Sequence, residues 1–104
     1  MERALIDKGI ILKKSTTINL AKFSKVRSYR CIVGVDLDLN NVIIFFRDAK
    51  SRFIVSDFQR VEMLANLVLN DTGIIAKKRY LFINSQLCSK AQRLAKERGW
   101  KCYF

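Results

Sequence analysis

Residues Val33 to Arg52 read VGVDLDLNNVIIFFRDAKSR, and this stretch decides the fold. β-Branched and aromatic residues run on both sides of Asn40-Asn41, a dipeptide that tolerates positive φ, so the pattern predicts two strands joined by a turn there. The second strand, VIIFF, is continuously apolar, as a strand buried on both faces would be. Arg47, Asp48, Lys50 and Arg52 follow at once, where the strand leaves the core. Residues two apart in a strand point the same way, which puts the Asp48 carboxylate and the Lys50 ammonium on one side of the sheet. A carboxylate left unpaired at such a place is costly or shifts its pKa, and a divalent cation would relieve it.

At 104 residues the chain has room for one domain, residues 1–104, with a core of its own. Twenty Lys and Arg against nine acids give a formal charge of +11. Such a surplus repels itself in the folded state and suits a polyanionic partner, nucleic acid first and an anionic membrane surface second. The apolar runs are only a few residues long, too short to span a bilayer, and Met1-Glu2-Arg3 leads into no signal-peptide core, so a cytoplasmic, intracellular location is expected. The absence of histidine removes Ser-His and Cys-His nucleophile systems and two-histidine zinc sites. Catalysis would fall to carboxylates, lysine, or a metal held by oxygen.

Around the central hairpin, Glu2 to Lys8 predicts a short helix stopped by Gly9, and Ile10 to Leu12 a short apolar run compatible with a strand. Segment 13–30 mixes basic residues with Ser, Thr and scattered apolar positions, and its periodicity decides nothing. Ser56 predicts a helix N-cap with Gln59 as its capping-box partner. Phe58, Val61, Leu64, Ala65 and Val68 then follow as one buried helical stripe, ended at Asn70 to Gly73. Tyr80 to Ile83 predicts a strand, and Asn84 or Ser85 the cap of a second helix with Leu87, Ala91, Leu94 and Ala95 inward. Gly99 stops that helix, and Trp100 to Phe104 makes a last strand. The order is that of an α/β domain with a mixed central sheet flanked by helices.

Asp36 and Asp48, on adjacent strands, could together hold Mg²⁺ (or Mn²⁺) with a backbone carbonyl and waters, and Lys50 could orient or deprotonate an attacking water. Strand parity sets a condition. With a two-residue turn Asp36 falls opposite Phe45, away from Asp48; a three-residue loop or a bulge puts both carboxylates on one face, so an irregularity is predicted. Asp38 shares the parity of Asp36 and is the alternative first ligand. Plain structural roles stay open for the same residues: Asp36 and Asp38 as solvent-facing strand positions, Asp48 and Lys50 as a surface ion pair, Gln59 as the capping partner of Ser56.

The string Gly34-Val35-Asp36, hairpin, apolar strand, Asp48-Ala49-Lys50-Ser51-Arg52, then Ser56 and Gln59 opening a helix resembles the PD-(D/E)xK nucleases of the restriction-endonuclease-like superfamily. The pattern is closest to archaeal Holliday-junction resolvases and related small nucleases. The resemblance implies an α-β-β-β-α-β-α-β core and a metal-dependent site of Asp36, Asp48 and Lys50 supported by Gln59, with Glu2 matching an acid that some members carry on their first helix. Val35 stands where the family has proline, and Asp48 where glutamate is commoner. The implied function is Mg²⁺-dependent endonucleolytic hydrolysis of DNA, structured or branched DNA included, by a homodimer. The alternative is a non-catalytic nucleic-acid-binding protein on a nuclease-like fold. In either case Lys13, Lys14, Lys25, Arg27, Arg30, Arg52, Lys77, Lys78 and Arg79 are the expected phosphate contacts, on DNA rather than RNA, with no membrane role.

Cys31, Cys88 and Cys102 have no paired metal-ligand spacing, and their odd number argues against a disulfide framework, so they are expected to be small core residues. Thermal unfolding should therefore be unchanged by a reducing agent, as followed by circular dichroism. A large loss of stability on reduction would refute the assignment.

Overall fold

The computed structural model describes residues 5, 8–25 and 27–103. Five strands form one sheet in the order β1-β2-β3-β4-β5: β1 (Leu12–Ile18), β2 (Tyr29–Asp36), β3 (Asn41–Arg47), β4 (Lys78–Ile83) and β5 (Trp100–Tyr103). Helix α1 (Val55–Thr72) joins β3 to β4, and α2 (Ser89–Glu97) joins β4 to β5. Tight connections make β1, β2 and β3 antiparallel, and helical crossovers make β3, β4 and β5 parallel, so the sheet is mixed as expected. From β1 onward the order β-β-β-α-β-α-β is the expected one. Of the expected first helix, Glu2, Arg3, Ala4, Ile6 and Asp7 lie outside the described residues; Leu5 is helical and buried, and Lys8-Gly9 turns.

Burial explains the central strand. Val42, Ile43, Ile44 and Phe45 are sealed on both faces of the sheet. On one face Ile43 and Phe45 meet the stripe of α1 that the sequence predicts, Phe58, Val61, Leu64, Ala65 and Val68, with Ala91 and Ala95 of α2. Trp100 closes this core, edge-on to both Phe45 and Phe58 at 6.0 Å between ring centroids. On the other face Leu5 and Ile10 cover Ile32, Val42 and Ile44, leaving Phe46, Tyr80, Phe82 and Tyr103 half-buried beside them.

Three local expectations are corrected. The hairpin turn is not Asn40-Asn41, because Val35 pairs with Asn41 and the Asp36 N–H donates to the Asn40 carbonyl at 3.0 Å, which leaves a three-residue loop, Leu37-Asp38-Leu39. The Asp36 carboxylate fixes that loop by accepting the N–H groups of Asp38 (3.0 Å) and Asn40 (2.9 Å). Helix α1 starts one residue before Ser56, and its cap is built by Asp57, whose carboxylate accepts the Ile54 N–H at 2.9 Å; Ser56 and Gln59 are exposed on the first turn. Helix α2 starts after Cys88, because Asn84 and Ser85 are engaged elsewhere. The undecided segment 13–30 resolves into β1, then a 3-10 turn at Leu20–Lys22 capped by Asn19, whose side chain accepts the Ala21 N–H at 3.1 Å.

Two positions test this geometry. Leu39 takes φ 64° while 69% exposed, so it holds a left-handed conformation that costs an L-residue ~1 kcal/mol and gains little from burial. Leu39→Gly should raise the melting temperature by a few degrees, since ~1 kcal/mol shifts a domain of this size by about 4–8 °C before the entropy of glycine is subtracted. Conversely, a Cβ at Gly34 would overlap the Lys14 carbonyl oxygen where the β1–β2 register slips between Leu12 and Lys14. Gly34→Ala should lower the melting temperature, and an unchanged value would contradict this packing.

Candidate nucleic-acid interface

The three-residue loop gives Asp36 and Asp48 the same parity, so both carboxylates belong to the same face of the sheet. They do not converge. Asp36 sits at the loop end of the hairpin, whereas the Asp48 N–H donates to the Ser28 carbonyl at 2.8 Å, one step beyond the far end of the ladder. Eight residues of β2 and its approach separate the two levels, ~25 Å at ~3.3 Å per residue. The metal pair expected of Asp36 and Asp48 is thus drawn apart by the continuous pairing of the strands that carry it. Asp38 lies in the loop beside Asp36 and is no nearer to Asp48. Among the described residues no group of three His, Cys, Asp or Glu side chains is placed to hold a metal ion.

Each carboxylate has protein partners instead. Lys78 at the start of β4 donates to Asp36 Oδ2 at 2.8 Å. That hydrogen bond, with the Asn40 N–H next in weight, holds the Asp36 carboxyl below its ordinary range against the opposing effect of desolvation. The same pairing raises the Lys78 ammonium. Asp48 is exposed, and its Oδ1 accepts from Asn84 Nδ2 at 2.8 Å. The Asn84 carbonyl in turn accepts the Ala49 N–H at 3.3 Å, which ties the ends of β3 and β4 together. Lys50 and Gln59 are exposed.

Arg47, expected where β3 leaves the core, stays inside it. Arg47 is only 6% exposed. It shares the parity of Ile43 and Phe45, and so enters the face on which α1 packs. Its Nη1 donates to the Ser51 carbonyl (2.8 Å) and Ser85 Oγ (3.0 Å), and its Nη2 to Ser51 Oγ (2.8 Å). The guanidinium lies over the Phe53 ring, 5.3 Å from its centroid, and 4.0 Å from the Asp57 carboxylate that caps α1. Tyr29, its cross-strand partner, is buried, which raises the phenol pKa with the Asp57 charge adding to the effect. The signal was present in the sequence: an arginine in register with buried apolar neighbours, followed by Ser51 four residues on.

The expected phosphate contacts divide into two groups. Lys13 and Lys14 are exposed on the edge strand β1, and Arg52 and Lys77 are exposed in loops. Lys25, Arg27 and Arg30 line an open groove of about 640 Å³ beside Asn19 and Tyr29. Lys78 and Arg79, by contrast, open strand β4 rather than lying in a basic loop: Lys78 is paired with Asp36, and Arg79 lies over the Trp100 ring, 5.9 Å from its centroid.

No family model and no curated protein matches the chain in sequence. Solved structures do match in shape. EndoMS in its apo form superposes with a TM-score of 0.58 at 17% identity, and a repair endonuclease from Pyrococcus abyssi with 0.56 at 16%. The fold is of nuclease type. Each comparison covers 97% of this chain but 42% of the other, so the chain spans about two fifths of the length of these structures. Among the described residues no helix is long and apolar enough to cross a membrane.

The Asp36 pair makes stability depend on pH with a defined sign. With its pKa lowered by folding, ionised Asp36 contributes fully above the ordinary carboxylate range, and the contribution is lost as pH falls through the depressed value. Asp36→Asn should therefore destabilise at pH ~7 and lose that effect toward pH ~2, in urea melts at both. An equal effect at both pH values would show that the carboxylate charge is not what holds the loop.

Proposed function

We propose that this domain is a non-catalytic, DNA-binding module on a PD-(D/E)xK-type endonuclease fold, with residues 1–104 forming one such domain. The observation that carries this is the hairpin register: it separates Asp36 from Asp48 and directs a buried Arg47 guanidinium, rather than a carboxylate, to the head of α1. A divalent ion at that end would find Asp48 without Asp36 and with Arg47 in the lining, fewer carboxylates than the pair the resemblance implies. DNA as the partner is supported by the +11 charge, by the groove of Lys25, Arg27 and Arg30, and by the likeness in fold to a repair endonuclease. The likeness in fold to EndoMS and to a repair endonuclease also supports a second reading, an endonuclease; on that reading Asp48 and Lys50 would serve an Mg²⁺- or Mn²⁺-dependent site in an intracellular homodimer.

Two measurements separate the readings. If Lys13, Lys14, Lys25, Arg27 and Arg30 contact about five phosphates, the log–log salt slope for duplex DNA should be ~−4.5, a ~500-fold loss of affinity between 50 and 200 mM salt. The protein should not cut linear, nicked or branched DNA with Mg²⁺ or Mn²⁺. Cleavage that EDTA stops and Asp48→Asn abolishes would establish the enzyme reading; a flat salt dependence would remove nucleic acid as the partner.

A further inference from the structure

The face of the sheet opposite the helices carries a row that crosses four strands at one level. Arg30 pairs with Phe46, Phe46 with Phe82, and Phe82 with Tyr103. The rings are stacked, Phe46 on Phe82 at 5.0 Å and 17°, Phe82 on Tyr103 at 4.9 Å and 27°. These spacings match the ~4.8 Å between strands, so the rings stand side by side across the sheet with the exposed Arg30 at the end of the row. All three rings are half-buried. One level further on, Asp48 and Asn84 cross the ends of the parallel strands β3 and β4, joined by their 2.8 Å hydrogen bond. Between the two levels lies a shallow cavity of about 390 Å³, lined by Arg30, Phe46, Phe82, Asp48 and Asn84, with Arg47 and Ile83 completing it. Its size is that of a small-molecule site, and its place, at the C-terminal ends of parallel strands, is where open α/β sheets take ligands.

We infer that this cavity receives an unpaired base of a nucleic-acid strand. Three features select that occupant. Parallel rings ending in a guanidinium offer stacking to any planar heterocycle, and such stacking needs no sequence readout. Arg30 also lines the basic groove of Lys25 and Arg27, so phosphates held in the groove lead a strand to the row. The Asp48 carboxylate at the rim is an acceptor for a ligand with N–H donors, such as the exocyclic amino group of cytosine. Asn84 holds that carboxylate with its own amide engaged on both sides, by Asp48 and by the Ala49 N–H. The base site rests on the nucleic-acid reading above, and the experiment separates the two.

The full chain is titrated by fluorescence anisotropy at one salt concentration with labelled strands of equal length: oligo-dC, oligo-dT, and an abasic strand that keeps the phosphates. Oligo-dC should bind at least ~10-fold more tightly than the abasic strand, the scale of one stacked base. Phe82→Leu should reduce its affinity to that of the abasic strand. Because Phe82 takes part in packing, the exposed Asp48 supplies a second variant: Asp48→Ala should lose the preference for oligo-dC over oligo-dT. Equal binding of oligo-dC and the abasic strand by the parent would overturn the base site and leave the DNA-binding reading standing. Binding of no strand at all would overturn both. If Phe82→Leu instead turns a dimer into a monomer in sedimentation with discrimination intact, the row is a self-association surface and not a base site.

Discussion

Seven rows of backbone pairing join β2 to β3, from Val35–Asn41 to Tyr29–Arg47, and the placement of every other functional group follows from them. The register begins at a loop that Asp36 holds by itself, accepting two backbone N–H groups with one carboxylate oxygen and the Lys78 ammonium with the other. Once that loop has three residues, parity sends Cys31, Val33, Ile43, Phe45 and Arg47 toward the helices and Arg30, Ile32, Ile44 and Phe46 to the opposite face. The apolar run VIIFF can then be buried on both sides, which explains both its lack of alternation and its place at the centre of five strands.

The same parity makes Arg47 the most buried charge among the described residues. A buried guanidinium is tolerated only where its donors find acceptors, and here Ser51 and Ser85 supply three. Both serines are held in place by backbone pairing between the two pre-helix segments, in which the Phe53 N–H donates to the Gln86 carbonyl and the Cys88 N–H to the Phe53 carbonyl. Asp57 serves two neighbours at once, capping α1 through Ile54 and lying 4.0 Å from the guanidinium. Its negative charge at a helix N-terminus is favourable in itself, so the head of α1 remains compatible with a nearby positive group. The corner at which β3 hands the chain to α1 is thus filled by an arginine and its acceptors, a structural use of polar atoms rather than a vacant ligand set.

Much of this was legible from residue patterns. The hairpin, the doubly buried strand, the inner stripe of α1 and the stop at Gly99 follow from periodicity, which reports burial directly. What periodicity does not report is competition among polar groups. The turn at Asn40-Asn41 lost to the loop Leu37-Asp38-Leu39 because the Asp36 side chain captures the loop N–H groups, a contact invisible to dipeptide preference. The Ser56 cap lost to Asp57, and the Asn84 and Ser85 caps were lost because those side chains bond Asp48, Ala49 and Arg47 across the sheet. The Asp36–Asp48 pair failed for a reason of length rather than parity. Twelve residues that include a tight turn place two groups together only when the turn lies midway between them, and here it lies close to Asp36. Lys78 and Arg79, expected as phosphate contacts, are instead engaged by Asp36 and Trp100, partners distant in sequence that no local pattern announces.

The division of faces also limits what chemistry the C-terminal ends of β3 and β4 can offer. Residues of one parity have their side chains committed to the helix side, so a ligand approaching the open face meets chiefly the other parity, Phe46 and Phe82 at one level, Asp48 and Asn84 at the next and Arg30 alongside, with Arg47 and Ile83 completing the lining. One carboxylate already shared with a carboxamide offers fewer protein oxygens than the two-carboxylate pair that the resemblance implies. Phe46 and Phe82 already stack on one another, so what the row leaves open to a flat heterocycle is its end toward Arg30, with the Asp48 acceptor one level away. That end lies beside the groove of Lys25, Arg27 and Arg30. The hairpin register thus sets Asp36 and Asp48 at opposite ends of one ladder, and what the C-terminal ends of β3 and β4 present is decided by the strands rather than by that pair.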